Sequence, residues 1–352
     1  MPDGGRIAER IRSFGEFVSE ESPSYWRICL ELAEDRTMAR ILGGAPHHQP
    51  VPNILLAGVQ YLLLEGAAPD LAAHYPSIAG ADARPKGDLV TLFAEFCRRE
   101  EQRLSEIAAT RTVQTNEVRR SIALMPAFAW VSQQAKKPLA LLEVGASAGL
   151  NLLFDKYHYE YGEDAIAGPL ESKLTFAADL RSGLLPPIDP LPRVIWRRGI
   201  DLHPVVVTDP DAVRWARALL WPEQLGRIRR FEAAVEIARS DPPDLVAGDA
   251  VKILAGVAAA APPDAALVVF HSYVLNQFSS AASHRLEQVI SGLSMTRPVH
   301  RIGIDMVTRH QAPEIRHTIY SAGKTTERVL GFTHHHGEWP EWCSPQSLVI
   351  GH

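Results

Sequence analysis

The stretch 139–154, LALLEVGASAGLNLLF, has residue types and spacing that suit a ligand site. An apolar run leads to an acid, two glycines enclose a group of small residues, and apolar residues then recur at the spacing of one helix face. Small residues let backbone N–H groups approach a ligand, and a helix N-terminus adds partial positive charge. This pattern predicts the opening strand, turn and helix of a nucleotide-type α/β site. The residues expected to bind the ligand are Glu143, Gly145, Ala146, Ser147 and Gly149.

A second candidate group follows Ala265 to Phe270, the most strand-like run of the chain. His271, Ser272 and Tyr273 come directly after it. Ligands of open α/β sheets bind just outside the carboxyl ends of the strands, so these side chains are candidates for a site. The pKa of histidine lies near working pH, which makes His271 a candidate general base. The alternative is a histidine whose ring is satisfied by backbone groups, and the sequence leaves both interpretations open.

A third group is the polar stretch QTNEVRR at 114–120, which precedes an apolar helix at 122–134. One interpretation is an N-cap arrangement, in which Thr115 or Asn116 caps the helix and Glu117 supports its first turn. The other is that Asn116 and Glu117 face the ligand cleft from a helical domain. Both remain open at this point.

An acid at the end of the second core strand is the candidate ribose ligand. Val194 to Trp196 lead into RRGIDLHP, which predicts a strand ending at Asp201. In nucleotide-binding α/β folds such an acid accepts hydrogen bonds from ribose hydroxyls, usually about 20 residues after the glycine loop. Glu160 lies nearer that spacing and is the alternative. We favour Asp201 because Gly199 and Pro204 bracket it as a turn.

The sequence predicts two parts that would position these candidate residues, one helical and one of alternating strands and helices. Residues 5–137 read as helices, whereas the chain from Leu139 onward alternates strands and helices, which predicts a parallel sheet with helices on both faces. We therefore expect a helical N-terminal lid or substrate domain at 1–137 and an α/β domain at 138–352. Within the second, 155–192 reads as an inserted β-ribbon with loops, and 315–333 as an antiparallel hairpin.

Composition narrows the classes of function. The chain has 352 residues, a formal net charge of −5 and a hydrophobic fraction of 46%. A nucleic-acid-binding domain is typically net basic, so no nucleic-acid partner is expected. No apolar run approaches the roughly 18 residues of a membrane span, and the three cysteines form neither a disulfide framework nor a zinc motif. We expect a cytoplasmic protein with a small-molecule substrate, no membrane partner and no metal; the oligomeric state stays open between monomer and homodimer.

The glycine-rich stretch does not fit a dinucleotide fingerprint, because the second glycine of G-x-G-x-x-G is missing. It resembles the acid-x-Gly-x-x-x-Gly loop of class I S-adenosylmethionine (SAM) dependent methyltransferases, with Ser147 where many members have glycine. The resemblance implies SAM as cofactor, with Glu143 near its amino-acid part and Gly145 making room for it. It also implies that Asp201 binds the ribose and that Asp249 bonds the adenine amino group. Asp249 has an alternative role as the N-cap of a helix at 251–260.

Motifs along the whole chain resemble a bacterial family of uncharacterised proteins, known as a domain of unknown function with a methyltransferase-like core. They are SPSY, QTNEV, EVGASAGLN, RRGIDLHP, WPEQ, VVFHS and HGEW, in that order. The fold implied is α/β, class I methyltransferase-like (Rossmann-like). It has a mostly parallel sheet with a C-terminal antiparallel hairpin, preceded by an all-helical N-terminal domain.

The leading functional expectation is a SAM-dependent methyltransferase acting on a small molecule. Asn116, Glu117, His271 and Tyr273 are the candidates for orienting the acceptor or removing its proton, and His271 is also expected to contact the cofactor. The alternative is a non-catalytic SAM- or nucleoside-binding sensor or regulatory protein. A nicotinamide-dependent oxidoreductase is a third hypothesis, disfavoured by the incomplete fingerprint. Fold alone does not choose among these functions.

Overall fold

The computed structural model describes residues 4–46, 49–114, 116–163, 165–181, 185–306, 312–343 and 349–350. The chain divides into two compact units: a helical unit of residues 1–115 and 208–232, and a sheet unit of residues 116–207 and 233–352. The helix that precedes the first strand therefore groups with the sheet unit. The expected domain division at residue 137 stays a prediction.

The helices follow in chain order. They are α1 (Gly4–Phe17), α2 (Pro23–Leu32), α3 (Arg36–Leu42), α4 (Val51–Leu64), α5 (Pro69–Ala72), α6 (Pro76–Ala79), α7 (Leu89–Arg99), α8 (Glu101–Thr110), α9 (Ser121–Ala135), α10 (Pro210–Ala218), α11 (Leu225–Ser240), α12 (Ala250–Ala258) and α13 (Ser280–Leu293). Short 3-10 helices occupy Val118–Arg120, Leu150–Lys156 and Leu275–Gln277. None of the described helices combines the length and apolar character needed to cross a membrane.

The helical unit is built around α4. Nearly every residue of α4 is buried, as expected for a helix that is apolar on all sides. Its one buried amide, Gln60, donates hydrogen bonds to the carbonyls of Ala218 at 2.9 Å and Leu220 at 2.6 Å. These bonds fix the end of α10 against α4 within this unit.

Within the described residues, twelve strands form two sheets. They are β1 (Leu139–Val144), β2 (His158–Tyr161), β3 (Ala165–Ala167), β4 (Thr175–Ala178), β5 (Val194–Asp201), β6 (Leu245–Ala247), β7 (Ala266–Ser272), β8 (Val299–Asp305), β9 (Glu314–Ser321), β10 (Lys324–Thr333), β11 (Pro340–Trp342) and β12 (Val349–Ile350). The large sheet has the order β11-β10-β9-β8-β7-β1-β5-β6, with β12 paired to β10.

The large sheet is mostly parallel, as predicted. Strands β6, β5, β1, β7 and β8 run parallel, and counted in chain order these five have the spatial order 3-2-1-4-5. That is the order of a doubly wound sheet, whose ligand crevice lies where the strand order reverses. Here the reversal is between β1 and β7. The predicted C-terminal hairpin is also present, because β9 pairs antiparallel with both β8 and β10.

Helices pack on both faces of this sheet. On one face, Leu142 and Val269 belong to a core cluster with Leu254 of α12 and Ile290 of α13. On the other, the ring of Phe128 in α9 lies 5.0 Å from that of Phe270. The strands between these layers are almost fully buried, which explains their continuous apolar sequence.

The predicted inserted ribbon is a small separate sheet of order β3-β2-β4. The helix expected after Gly149 is wrong: Leu150–Lys156 is a short 3-10 turn. Two tyrosine hydroxyls of the insertion donate hydrogen bonds to carbonyls of this turn. Tyr157 donates to the carbonyl of Leu150 at 2.6 Å, and Tyr159 donates to the carbonyl of Phe154 at 2.8 Å. These phenols bind carbonyls of the 3-10 turn, and no α-helix N-terminus stands directly behind the glycine loop.

Candidate functional site

The loop between β1 and the 3-10 turn lies at the reversal of strand order. Gly145, Ser147 and Gly149 all have positive φ, at 71°, 50° and 67°. Glycine adopts this region freely, whereas a serine there carries a conformational cost. The backbone N–H of Gly145 bonds to the carbonyl of Ile200 at 2.8 Å, so the turn is tied to the end of β5.

The two glycines are also required by packing. A Cβ at Gly145 would lie 2.4 Å from Cγ2 of Val274, and one at Gly149 would lie 2.8 Å from Cγ of Pro243. A larger residue at either position would therefore disturb the fold as well as any ligand. The tight small-residue loop predicted from the sequence is confirmed; its ligand is not thereby identified.

Asp201 ends β5, as predicted, and fixes the loop. Its buried carboxylate accepts hydrogen bonds from the N–H of Ser147 and the N–H of His203, both at 2.8 Å, one on each oxygen. The first bond stabilises the positive φ of Ser147. The alternative acid, Glu160, lies on β2 in the small sheet, 3.6 Å from Nε2 of His158, and so is not on the large sheet.

Asp249 follows β6 and begins α12. Its carboxylate accepts a hydrogen bond from the N–H of Val251 at 3.0 Å, which is the N-cap role given as its alternative. The N–H of Gly248 bonds to the carbonyl of Asp201 at 2.8 Å, so the two acids follow neighbouring strand ends. The side chain of Asp249 is 40% exposed and remains open to a further donor.

Glu143 is a buried carboxyl at the end of β1. It is only 3% exposed, and its Oε2 accepts no hydrogen bond from the residues that the structure describes. Burial raises the pKa of Glu143 well above its usual range, and the charge of Asp201 raises it further. A hydrogen bond from Asn151 and the charge of Arg120 oppose this rise in the pKa without cancelling it.

Asn116 contacts the glycine loop from the segment before α9. Its Nδ2 donates to the carbonyl of Ala146 at 3.1 Å, while its Oδ1 is buried and has no donor among the described residues. Asn116 groups with the sheet unit, because α9, which it leads into, packs on the sheet. The expectation that it faces a ligand cleft from a helical domain stays a prediction. Thr115 lies outside the described residues.

Glu117 is the N-cap of the 3-10 helix Val118–Arg120 and accepts a hydrogen bond from the N–H of Arg119 at 3.2 Å. Its other carboxylate oxygen lies 3.8 Å from Nδ1 of His336. Glu117 is thus itself a cap, and the helix it caps is the 3-10 helix rather than α9, whose N-cap is Arg120. Capping leaves its proposed part in catalysis untested.

His271 and Tyr273 lie at the carboxyl end of β7, as predicted. Nδ1 of His271 is 3.1 Å from Oδ2 of Asp305, but neither ring nitrogen makes a hydrogen bond within the described part of the chain. Tyr273 has a φ of 58°, and its buried hydroxyl is likewise without a partner there. Burial raises the pKa of Tyr273 to about 12.

Sequence reasoning missed Arg120. Its guanidinium carbon lies 4.3 Å from the centre of the Tyr273 ring, a cation–π distance, and Nη1 is 3.4 Å from the carbonyl of Ser272. Nε donates to the carbonyl of His335 at 3.3 Å, which joins the three consecutive histidines at 334–336 to this edge of the sheet. The paired arginines at 119–120 were visible in the sequence, but only tertiary structure shows that one of them contacts the end of β7.

Buried polar atoms without partners collect at this edge. Native interiors normally pair such atoms, so each exception calls for an explanation. Among the residues described, those in this region are Oδ1 of Asn116, Oε2 of Glu143, Nδ1 and Nε2 of His271, Oγ of Ser272, the hydroxyl of Tyr273 and Oδ1 of Asp305. They lie at the ends of β1, β7 and β8 or against the glycine loop. We therefore take this edge as the candidate site.

Comparison with known proteins identifies the family. The profile of a bacterial family described as "Uncharacterized protein conserved in bacteria (DUF2332)" matches residues 8–342. Since that range includes nearly all of the 352 residues, the chain belongs to this family. The resemblance to an uncharacterised bacterial family is thus confirmed. Searches of curated proteins and of solved structures gave no significant match.

Proposed function

We propose that this protein is a SAM-dependent methyltransferase that acts on a small molecule. The observation that carries the proposal is the pairing of a positive-φ glycine loop with two buried, unpartnered acceptor atoms at the reversal of strand order. These atoms are Oε2 of Glu143 and Oδ1 of Asn116, taken over the described residues. Ligands of doubly wound sheets bind at this position.

The two acceptor atoms suit the ammonium group of the methionine part of SAM. An ammonium carries three N–H donors and no acceptor, so it can satisfy a carboxylate and an amide oxygen together. Both side chains are near the glycine loop, because Glu143 directly precedes it along the chain and Asn116 donates to Ala146 within it. A ligand group without N–H or O–H donors would leave these oxygens unpaired.

The nucleoside part of SAM would follow the neighbouring strand ends. Asp201 ends β5 beside the glycine loop, where its carboxylate accepts hydrogen bonds from the N–H of Ser147 and the N–H of His203, both at 2.8 Å, and it is the acid we assign to the ribose. Asp249, two residues after β6, has a side chain that is 40% exposed, and it is the acid we assign to the adenine amino group. When bound, SAM supplies an electrophilic methyl group, and the chain's part is to hold donor and acceptor in line.

A calorimetric titration of the purified protein with SAM, S-adenosylhomocysteine and NAD tests this proposal. We expect micromolar binding of the two sulfur nucleosides and none of NAD. Glu143→Gln keeps the shape of the side chain but removes the charge that pairs with the ammonium, so it should weaken binding of both sulfur nucleosides. Glu287→Gln, on α13, is the matched control.

Each result has a defined meaning. Absence of binding by either sulfur nucleoside would overturn the proposal, and binding of NAD alone would favour an oxidoreductase. Tight SAM binding with no methyl transfer across small-molecule acceptors would favour the non-catalytic sensor. Gly145→Val is less informative than Glu143→Gln, because a Cβ there would press on Val274 and disturb the fold.

A further inference from the structure

Asp305 is the last residue of β8 and the nearest charged partner of His271. Strands β7 and β8 are parallel neighbours, and His271 pairs in register with Gly303. The side chains of His271 and Asp305 approach with 3.1 Å between Nδ1 and Oδ2. The sequence analysis did not single out Asp305, because its partner is 34 positions away and is reached only through strand pairing.

The glycine at 303 makes room for the histidine ring. A Cβ at this position would lie 2.7 Å from Cε1 and 3.0 Å from Nε2 of His271. The ring therefore lies directly against the backbone of β8 and is only 2% exposed. A side chain at 303 would move it, so the fold itself fixes the place of the imidazole.

In the pair of His271 and Asp305, each side chain has an outer polar atom without a hydrogen bond. Nε2 of His271 and Oδ1 of Asp305 are buried atoms with no hydrogen bond from the described residues. The Nδ1–Oδ2 contact is short, but the ring N–H is not well aligned with the oxygen. Catalytic hydrogen bonds in ligand-free enzymes are often poorly aligned and tighten when the substrate binds. The arrangement is that of a histidine–carboxylate pair in which Nε2 can still accept a hydrogen bond from a substrate group.

A carboxylate beside Nδ1 selects the protonation state of the ring. It favours the tautomer with the proton on Nδ1, which leaves a lone pair on Nε2, and it stabilises the imidazolium once Nε2 has taken a proton. Asp305 itself need not be protonated in that process. The nearby hydroxyl of Tyr273 does not compete as a base, because its pKa is raised to about 12 and it stays protonated at neutral pH.

We infer that Asp305 is the positioning residue that makes His271 the base of this site, and that the methyl acceptor is a hydroxyl group. This inference rests on the proposed methyltransferase function. As the acceptor oxygen forms its bond to the methyl carbon, the carbon–sulfur bond breaks and its electron pair stays on sulfur. The hydroxyl proton passes to Nε2 of His271, and from there to solvent after the product leaves.

Methyl acceptors differ in whether they need a base to remove a proton before they attack. A phenolic hydroxyl has a pKa of about 10, so roughly one molecule in a thousand is ionised at pH 7, and an alcohol is ionised far less. A thiol, with a pKa of about 8.5, supplies its own anion much more often, and an unprotonated amine attacks without losing a proton first. A buried histidine oriented by a carboxylate is therefore of most use to a hydroxyl acceptor.

The dyad can be tested in the ligand-free protein. With 15N-labelled histidine, the nitrogen chemical shifts of His271, assigned by its loss in His271→Gln, report which ring nitrogen carries the proton. We expect a protonated Nδ1 and an unprotonated Nε2 in the wild type, and loss of this preference in Asp305→Asn and Asp305→Ala. Glu287→Gln, which removes a carboxylate of α13, should leave the signals unchanged.

Two results would overturn the dyad. One is a wild-type His271 with its proton on Nε2, and the other is an unchanged tautomer in both Asp305 variants. Because this measurement uses no SAM, its outcome does not depend on the proposed function. Gly303→Ala gives a second check, since a Cβ against the ring should shift the His271 signals while Asp305 is retained.

The acceptor class is tested with SAM carrying a trideuterated methyl group, incubated with the protein and a small-molecule extract of a bacterium. Mass spectrometry and NMR then locate the label. A label on oxygen supports the inference, whereas a label on nitrogen, sulfur or carbon overturns the acceptor class and leaves methyl transfer standing. No labelled product, together with no SAM binding, would instead overturn the proposed function.

Discussion

At the scale of single residues, the protonation of Glu143 is the feature most closely linked to ligand binding. Burial raises the pKa of this carboxyl in the free protein, so it is held protonated where an exposed glutamate would be ionised. A cation beside it would favour the ionised form. We therefore expect SAM binding to release a proton, and affinity to rise with pH until Glu143 is ionised in the free protein.

Calorimetry in two buffers of different ionisation enthalpy measures that proton directly. The apparent binding enthalpy should differ between the buffers for the wild type and should not differ for Glu143→Gln. A proton release that persists in Glu143→Gln would assign the linkage to another group. A wild type with no release would show that the carboxyl does not meet the ammonium.

At the scale of elements, the 3-10 turn Leu150–Lys156 depends on two phenols of the inserted sheet. Tyr157→Phe removes the phenol that donates to the carbonyl of Leu150. Tyr159→Phe removes the phenol that donates to the carbonyl of Phe154, which keeps the N–H of Tyr157 at 3.3 Å. Loss of one hydrogen bond costs about 0.5–1.5 kcal/mol, so urea unfolding should show a fall of that size in the free energy of unfolding. Amide hydrogen exchange in 150–156 should become faster in both variants.

Tyr161→Phe is the matched control for these substitutions. This tyrosine lies on the same strand, but its hydroxyl donates to the carbonyl of Ile122 in α9 at 2.6 Å. The variant should lose comparable stability while the amides of 150–156 exchange at the wild-type rate. Equal exchange in all three variants would show that the phenols do not hold the turn.

The strand ends were predictable from the sequence, because apolar runs followed by polar residues mark them locally. That reasoning located β1 with its glycine loop, the end of β5 at Asp201 and the polar residues after β7. It did not predict two features that depend on contacts in the folded chain. A 3-10 turn, two of whose carbonyls accept from Tyr157 and Tyr159, stands where a helix was expected, and the place of Asp305 beside His271 depends on strand register.

At the scale of the whole molecule, a buried pair of histidines links stability to pH. His300 on β8 and His317 on β9 stack with ring planes 11° apart and share a contact of 3.0 Å between Nδ1 and Nε2. Burial lowers the pKa of His300 to about 4 and that of His317 to about 3. Both are therefore neutral in the folded protein at pH values where the unfolded chain is protonated.

The sign of the pH effect follows from this difference. Unfolded histidines take up protons below about pH 6.5, whereas the folded pair does so only near pH 3 to 4, so acidification in that window favours unfolding. We expect the wild type to lose a few kcal/mol more between pH 6.5 and 4 than the double variant His300→Leu/His317→Leu. Chemical unfolding across that range measures the difference, and parallel curves for the two proteins would contradict the assignment.

The central claim is that the edge of the sheet around the glycine loop holds a sulfonium methyl donor. The most direct test is a crystal structure of the protein with S-adenosylhomocysteine. We expect density for its amino group against Glu143 and Asn116, and for its ribose beside Asp201. Ligand density at another place, or none at saturating concentration, would contradict the account.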